Sequence, residues 1–172
     1  MKPSPERLRE IIDYDPAEGT FRWAVSRRGA RKGDPCGRIC QFGYREIGVD
    51  YGLYRANMIA WAIMTGQWPD KDVDHINRVK SDNRWSNLRI ANRSQNNGNE
   101  GLRTTNTSGR KGVVWDKDRG KWRAQIGVGG KVRNLGRFDK IEDAAAAYDK
   151  AAMEGYGEYA VTNADLALEL HR

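Results

Sequence analysis

An eight-residue stretch in the middle of the chain constrains its fold more than any other feature. Gly101-Leu102-Arg103-Thr104-Thr105-Asn106-Thr107-Ser108 has no apolar periodicity and is dense in turn-forming residues, so it reads as a linker over 101–108. In a chain of 172 residues that leaves two small domains, each with a modest core. Hydrophobic residues make up 38% and charged residues 31%, a balance that excludes both a disordered chain and a membrane protein. No apolar run approaches the ~20 residues that a membrane span needs. The start, Met-Lys-Pro-Ser-Pro-Glu, lacks the apolar stretch of a secretion signal, so a cytoplasmic location is expected.

The basic excess is not spread evenly. The formal charge is +7, of which residues 1–100 carry +4, residues 101–140 carry +8 and residues 141–172 carry −5. A segment of that charge is the electrostatic footprint of a polyanion binder, and its cations interleave with Trp115, Trp122 and Gln125 at strand-like spacing. No basic amphipathic helix carries these charges, which argues against a membrane surface. Cys36 and Cys40 are the only cysteines, and with two histidines in the chain a four-ligand zinc site lacks partners. They read as reduced thiols. Chemistry that needs a histidine must use His75 or His171, and His171 lies in an expected loose tail over 164–172.

Local patterns place the elements. Lys2 to Tyr14 reads as a helix, with Leu8, Ile11 and Ile12 on one face. Thr20 to Trp23 reads as a strand, and Arg27-Arg28-Gly29-Ala30-Arg31 as a basic loop suited to phosphates. Cys36 to Tyr54 suggests two or three short antiparallel strands. Arg55 to Thr65 reads as a helix closed by a left-handed Gly66, with Tyr54, Trp61 and Trp68 as core aromatics. Beyond the linker come strand signals over Gly112–Asp116, Lys121–Val128 and Lys131–Gly136, with a Gly129-Gly130 hairpin turn. Asp139 and Glu142 match a capping box for a helix to about Met153, whose inner face is Ala144, Ala147, Tyr148, Ala151 and Ala152.

The residues with chemistry cluster between these halves. Val73-Asp74-His75-Ile76-Asn77 ends a strand, Lys80-Ser81-Asp82-Asn83 is turn-rich, and Asn92 to Gln95 opens a helix that carries Asn96. Asp74 offers an anionic oxygen and Asn96 a neutral carbonyl oxygen, which suits Mg²⁺, an ion that usually takes one or two protein ligands. His75 could accept a proton from water, and Arg89 or Arg93 could add positive charge. Neighbouring strand residues point to opposite faces, so a kink at Asp74-His75 would be needed to turn both into one cleft. The plainer alternative is a buried histidine with an aspartate partner and turn asparagines.

The whole string is more specific. Asp74-His75-Ile76-Asn77, Ser81-Asp82-Asn83-Arg84-Trp85-Ser86-Asn87-Leu88-Arg89 and Ser94-Gln95-Asn96 resemble phage-type HNH homing endonucleases, as do Tyr54-Arg55-Ala56 and Thr65-Gly66-Gln67-Trp68-Pro69. The likeness covers roughly residues 1–100. It implies a ββα-metal unit in which His75 is the general base, Asp74 and Asn96 hold a single Mg²⁺ or Mn²⁺, and Asn87 fixes the hairpin loop. Arg93 joins His75 and Asn87 in the implied catalytic set. Asn96 stands where the family name implies histidine, and Asn57 where relatives often carry one. The resemblance also implies a phage-encoded protein acting in a bacterial host.

Gly112-Val113-Val114-Trp115, Gly120-Lys121-Trp122-Arg123-Ala124-Gln125-Ile126, Leu135-Gly136-Arg137-Phe138-Asp139 and Ala144-Ala145-Ala146-Ala147-Tyr148-Asp149 resemble the plant ethylene-response-factor (Apetala-two type) DNA-binding domain, over about 109–163. That likeness implies a three-stranded sheet in the DNA major groove with a helix behind it, and Arg110, Trp115, Arg123, Gln125 and Arg133 on the sheet. Alternation independently puts Lys121, Arg123 and Gln125 on one face and Trp122, Ala124 and Ile126 on the other. Arg can read guanine, Gln can read adenine and Lys neutralises phosphate. Trp115 fits either the DNA face or the core.

The expected architecture is therefore α+β: small N-terminal antiparallel strands and helices with a ββα-metal unit, then a three-stranded antiparallel sheet packed on one helix. The expected function is a site-specific endonuclease hydrolysing DNA with one metal ion per active site. Arg27, Arg28 and Arg31 would help hold double-stranded DNA. A monomer is expected, with a dimer as the alternative, and no membrane partner. The competing readings are a non-catalytic DNA-binding regulator derived from a nuclease, which Asn57 favours, and an RNA-binding module. The mostly Arg, Lys and Gln sheet face favours duplex DNA over single-stranded RNA, whose readers display aromatics.

Overall fold

The computed structural model describes residues 2–169. The chain divides into two compact units between Ala91 and Asn92. His171 lies outside the described residues.

The first unit contains α1 (Pro5–Ile11), β1 (Ile12–Asp15), β2 (Thr20–Trp23), β3 (Arg38–Ile39), β4 (Arg45–Val49), β5 (Gly52–Arg55), α2 (Ala56–Thr65), β6 (Asp72–His75) and β7 (Leu88–Ala91). Its strands pair antiparallel as β1–β2, β3–β4–β5 and β6–β7. The Ser4 hydroxyl accepts the Arg7 amide and Pro5 opens the first turn, so α1 begins sharply. The helix expected over 2–14 stops at Ile11, and the chain turns extended at Ile12. Alternation explains this: Ile12 and Tyr14 point inward opposite Trp23 and Phe21, while Asp13 and Asp15 face water. Stacking of Tyr14 on Phe21, with ring centroids 4.8 Å apart, outweighs the helical spacing.

The core of this unit gathers Leu8 and Ile11 of α1, Ile47 and Val49 of β4, Ile59 and Ala60 of α2, Val73 of β6 and Leu88 of β7. Tyr54, Trp61 and Trp68 pack at its margin, as expected of core aromatics. Gly66 caps α2 in the left-handed region at φ 75°. Gly19 is a position only glycine can fill: its φ is +67°, and a Cβ there would lie 2.3 Å from the Arg84 amide nitrogen. The Trp85 amide bonds to the Pro16 carbonyl at 2.9 Å, so the Asp15–Gly19 turn braces the start of the 85–87 segment.

The second unit contains α3 (Arg93–Asn99), β8 (Val113–Asp116), β9 (Lys121–Val128), β10 (Lys131–Phe138), α4 (Ile141–Tyr156) and α5 (Asn163–Glu169). β9 pairs antiparallel with both β8 and β10, and this sheet packs on α4 through Val113, Ala124 and Ile126 against Ala144, Ala145, Tyr148, Ala151 and Ala152. The alanine face lets the helix backbone lie close to the sheet. The Gly129-Gly130 turn has positive φ at both residues, as its hairpin requires. The capping box expected at Asp139 does not form. Asp139 instead meets Lys121 Nζ at 3.1 Å, and α4 starts at Ile141 without a side-chain cap.

Residues 101–108 lie inside the second unit, where Asn106 donates to the Arg110 carbonyl and accepts the Gly109 amide. Residues 164–169, read as part of the tail, lie in α5, whose first amides, at Asn163 and Ala164, are capped by the Asp149 carboxylate. α3 also belongs to this unit. The buried Lys111 ammonium donates to the carbonyls of Gly98, Glu100 and Val161, and Gly98 lies so close to Tyr156 that a Cβ would sit 2.6 Å from its ring.

Candidate active site and nucleic-acid interface

The order strand, loop, strand, helix runs through β6, the 76–87 loop, β7 and α3. β6 and β7 pair in unbroken register, with Asp74 opposite Arg89 and His75 opposite Leu88. No kink occurs. Val73 and His75 are buried while Asp74 is only partly so, and alternation sets Asp74 and His75 on opposite faces of β6.

His75 is only 4% exposed. Its Nε2 lies 3.3 Å from Asn83 Oδ1, and Asn83 Nδ2 donates to the Ser81 carbonyl, which orients the amide oxygen toward the ring. An amide oxygen only accepts, so this contact suits a proton on Nε2. Burial pushes the His75 pKa below its usual value, and the Asn83 bond opposes that shift without reversing it. Neutral imidazole is the form a general base needs.

The loop is held by side-chain amides. Asn87 accepts the Asn77 amide at 2.9 Å, and its own amide group donates to Asn77 Oδ1 at 2.9 Å and to the Asp82 carbonyl at 2.8 Å. Asp82 accepts a bidentate pair of bonds from Arg84 and a bond from Asn77 Nδ2 at 2.7 Å, and Arg84 holds its carboxyl down at about 2. Asn83, 1% exposed, also accepts the Tyr14 hydroxyl on its carbonyl at 2.7 Å. Asn83 is a site residue that the sequence reading quoted within the motif without giving it a role. Asn57 is buried and donates to the Val73 carbonyl at 2.7 Å while accepting the Met58 amide, so it pins α2 to the strand that carries Asp74 and His75.

Asp74 accepts Arg89 Nε at 3.0 Å in a pair whose side chains are 12% and 14% exposed. Arg93 is exposed at the first position of α3, and Asn96 is half-buried on the same helix behind the Asn92–Gln95 capping box. Asp74 lies in the first unit, and Arg93 and Asn96 lie in the second.

In the basic loop, Arg27 stacks over Trp23 at 4.2 Å and donates to the Gly48 carbonyl, while Arg28 and Arg31 are exposed. On the sheet of the second unit, Lys121, Arg123 and Gln125 share the face away from α4, as alternation predicts. Arg123 stands between Val114 and Arg137, and its Nε is buried without a hydrogen-bond partner. Arg110 is half-buried before β8. Arg133 does not join this face. It pairs opposite Ile126, and its guanidinium comes 3.9 Å from Glu154 of α4. The irregularity between Asn134 and Gly136 shifts the register, so Asn134 and Arg137 face the Arg123 side instead. Arg137 donates to Asp116 at 2.8 Å. Trp115 pairs opposite Trp122 in an edge-on contact with centroids 4.9 Å apart, on the α4 side of the sheet, and is still 46% exposed.

A strand-loop-strand-helix unit with an Asp-His pair, followed by a three-stranded sheet on a small-residue helix, is the signature of an HNH-type nuclease joined to a sheet-reading DNA-binding module. Residues 54–98 match the HNH endonuclease family, and residues 108–158 match the AP2 domain. Protein 3.8 of Escherichia phage T7 is 32% identical over 111 residues, covering 64% of this chain and 91% of that protein. The chain belongs to this phage HNH family and carries an AP2-type domain after the HNH region. The ethylene-responsive transcription factor WRI1 of Arabidopsis thaliana is 44% identical over 64 residues, which is 36% of this chain but 15% of that factor. The AP2-like ethylene-responsive transcription factor ANT, from the same plant, is 45% identical over 58 residues, 10% of its length. The two domains support nuclease and DNA-binding roles. Among the described residues no helix is long and apolar enough to cross a membrane.

Proposed function

We propose that this protein is a site-specific, homing-type DNA endonuclease that hydrolyses phosphodiester bonds with one divalent metal ion and His75 as general base. The reading assigns a nuclease domain to 1–100 and a DNA-binding domain to 109–163, working as a monomer on double-stranded DNA. The observation that carries it is the state of His75: buried at a strand end, held at Nε2 by an oriented amide, and kept neutral by its surroundings.

The donor chemistry fits a hard cation. Asp74, on the face of β6 opposite His75, and Asn96 would each offer an oxygen ligand, and Mg²⁺ or Mn²⁺ needs few protein ligands when water and phosphate complete its shell. Among the described residues no group of three or more His, Cys, Asp and Glu side chains gathers to favour a different metal. When bound, the ion supplies electrostatic stabilisation of charge building on the phosphate oxygens. His75 takes the proton of the attacking water, and Asn83 holds the ring in place through Nε2. Asn87 keeps the 76–87 loop closed around it. Arg93 offers positive charge toward the phosphate, and Lys121, Arg123, Gln125, Arg110 and the 27–31 arginines bind and orient the duplex.

A second reading, a DNA-binding regulator that never cuts, is favoured by the ion pair that already neutralises Asp74. One assay separates the two. Supercoiled plasmid carrying DNA from the encoding locus is incubated with the protein and Mg²⁺ or Mn²⁺, with EDTA as control. Metal-dependent nicking or linearisation, lost in His75→Ala while gel-shift binding persists, supports the nuclease. Binding without any cleavage in either metal supports the regulator.

A further inference from the structure

The first unit carries a second cluster of charge beside His75 that neither the motif nor the sheet face absorbs. Tyr44 lies between the β3 and β4 strands, and its ring centroid is 6.0 Å from the His75 ring. Two cations sit over the same Tyr44 ring, the Arg55 guanidinium at 4.1 Å and Lys80 Nζ at 4.9 Å. Lys80 is tied down further by donation to the Phe42 carbonyl at 3.2 Å. Both cations are exposed, and among the described residues neither meets a carboxylate within 4.0 Å, although Glu46 stands opposite Arg55 in the β4–β5 register. Two like charges held over one ring repel each other, and the quadrupole of a single phenol offsets that only in part. Such a pair is stable when an anion comes between or alongside the cations.

We propose that Arg55 and Lys80, held by Tyr44, form a clamp for the sugar-phosphate backbone of the DNA strand that lies against His75. The inference rests on the nuclease reading only in assigning a purpose to the neighbouring imidazole. The clamp itself needs no cleavage. The two ends differ in chemistry. Arg55 presents a planar fork that can bridge two phosphate oxygens, and Lys80 presents a point charge. Tyr44 is a positioning residue, acting through the cations. Duplex DNA is the occupant because both cations are exposed on the unit that carries the Asp-His pair, and the backbone is the polyanion this unit must hold still.

The test uses the full chain and binding measured without metal, so that it does not depend on cutting. Fluorescence anisotropy on a labelled duplex from the encoding locus is followed over a salt series. For Arg55→Gln and for Lys80→Gln, the slope of log affinity against log salt should shrink by about 0.9 per lost phosphate contact. Affinity at low salt should fall roughly tenfold, as for loss of one charge-assisted bond. Arg55→Lys should keep the slope while recovering only part of the affinity. Tyr44→Leu should weaken binding and Tyr44→Phe should not, with melting curves confirming that each variant is folded. Lys150→Gln, an exposed charge on the outside of α4, should leave the slope unchanged. Unchanged slopes in both Arg55→Gln and Lys80→Gln, or an equal loss in Lys150→Gln, overturn the clamp. If the slopes shrink as expected but the wild type never cuts, the nuclease reading fails and the clamp stands. If it cuts and the slopes do not move, the reverse holds.

Discussion

The 76–87 loop of the first unit and the open sheet face of the second both expose polar side chains, yet they are built by opposite means. The loop is closed by side-chain amides whose donors and acceptors are used on one another: buried Asn83 and Asn87, with exposed Asn77, hold the chain in place around His75. The sheet face is positioned from behind by packing on alanines; Lys121 meets Asp139 at its edge, and Arg123 and Gln125 are left to find partners outside. The difference separates two tasks. A proton-transfer site tolerates little displacement, so its groups are fixed beforehand. A surface that reads base edges gains from side chains that settle on contact.

The largest effect that can break this comparison is in the loop. His75→Ala should lower cleavage by a factor of about 10²–10⁴, typical for loss of a general base, while gel shifts show binding unchanged. A variant that still cuts well would remove the loop's claim to the chemistry. Next in size, Asn87→Ala should destabilise the protein by about 2–3 kcal/mol, because it strands buried partners, and denaturant titration would measure this. A cost near zero would show that the loop is not held as the bonds suggest. On the sheet, Arg123→Ala should weaken specific binding by about 1–3 kcal/mol and relax choice at one base position, read by selection from a randomised duplex. A smaller sharpening comes from acid. Asp82 has a folded pKa depressed to about 2, so its contribution to stability is complete above its ordinary range near 4. That contribution is lost as pH falls from about 4 through about 2. The fluorescence of Trp85, which follows the loop, should change over that window in the wild type and not in Asp82→Asn. The smallest effect is expected at Arg133→Ala, which should change DNA affinity much less than Arg123→Ala, because Arg133 lies on the α4 side near Glu154.

Much of the molecule was legible one residue at a time. The β9 alternation, the Gly129-Gly130 hairpin, the Asn92–Gln95 capping box and the left-handed Gly66 each follow from neighbours a few positions apart, and each is present. The failures have the same origin as the successes. Ile12 fits a helix face by spacing, but a partner strand eight to eleven residues on draws it into β1. Asp139 fits a cap by spacing, but Lys121 from another strand takes its carboxylate. Arg133 is assigned to the DNA face by the family resemblance, but the Gly129-Gly130 hairpin register sets it opposite Ile126 on the α4 side, and the irregularity between Asn134 and Gly136 brings Arg137 to the Arg123 face instead.

The amino-acid order alone determined most of the strands and turns, which residues could carry proton transfer and metal binding, and which segment would meet a polyanion. These depend on spacing and side-chain chemistry, which are local. Only the tertiary structure decided that Asn83 meets His75 Nε2, that Arg89 meets Asp74, that Lys111 and Tyr156 bind α3 into the second unit, and that Arg55 and Lys80 share one ring. Each of those contacts joins residues far apart in the chain, and their pairing is set by packing and burial rather than by any periodicity.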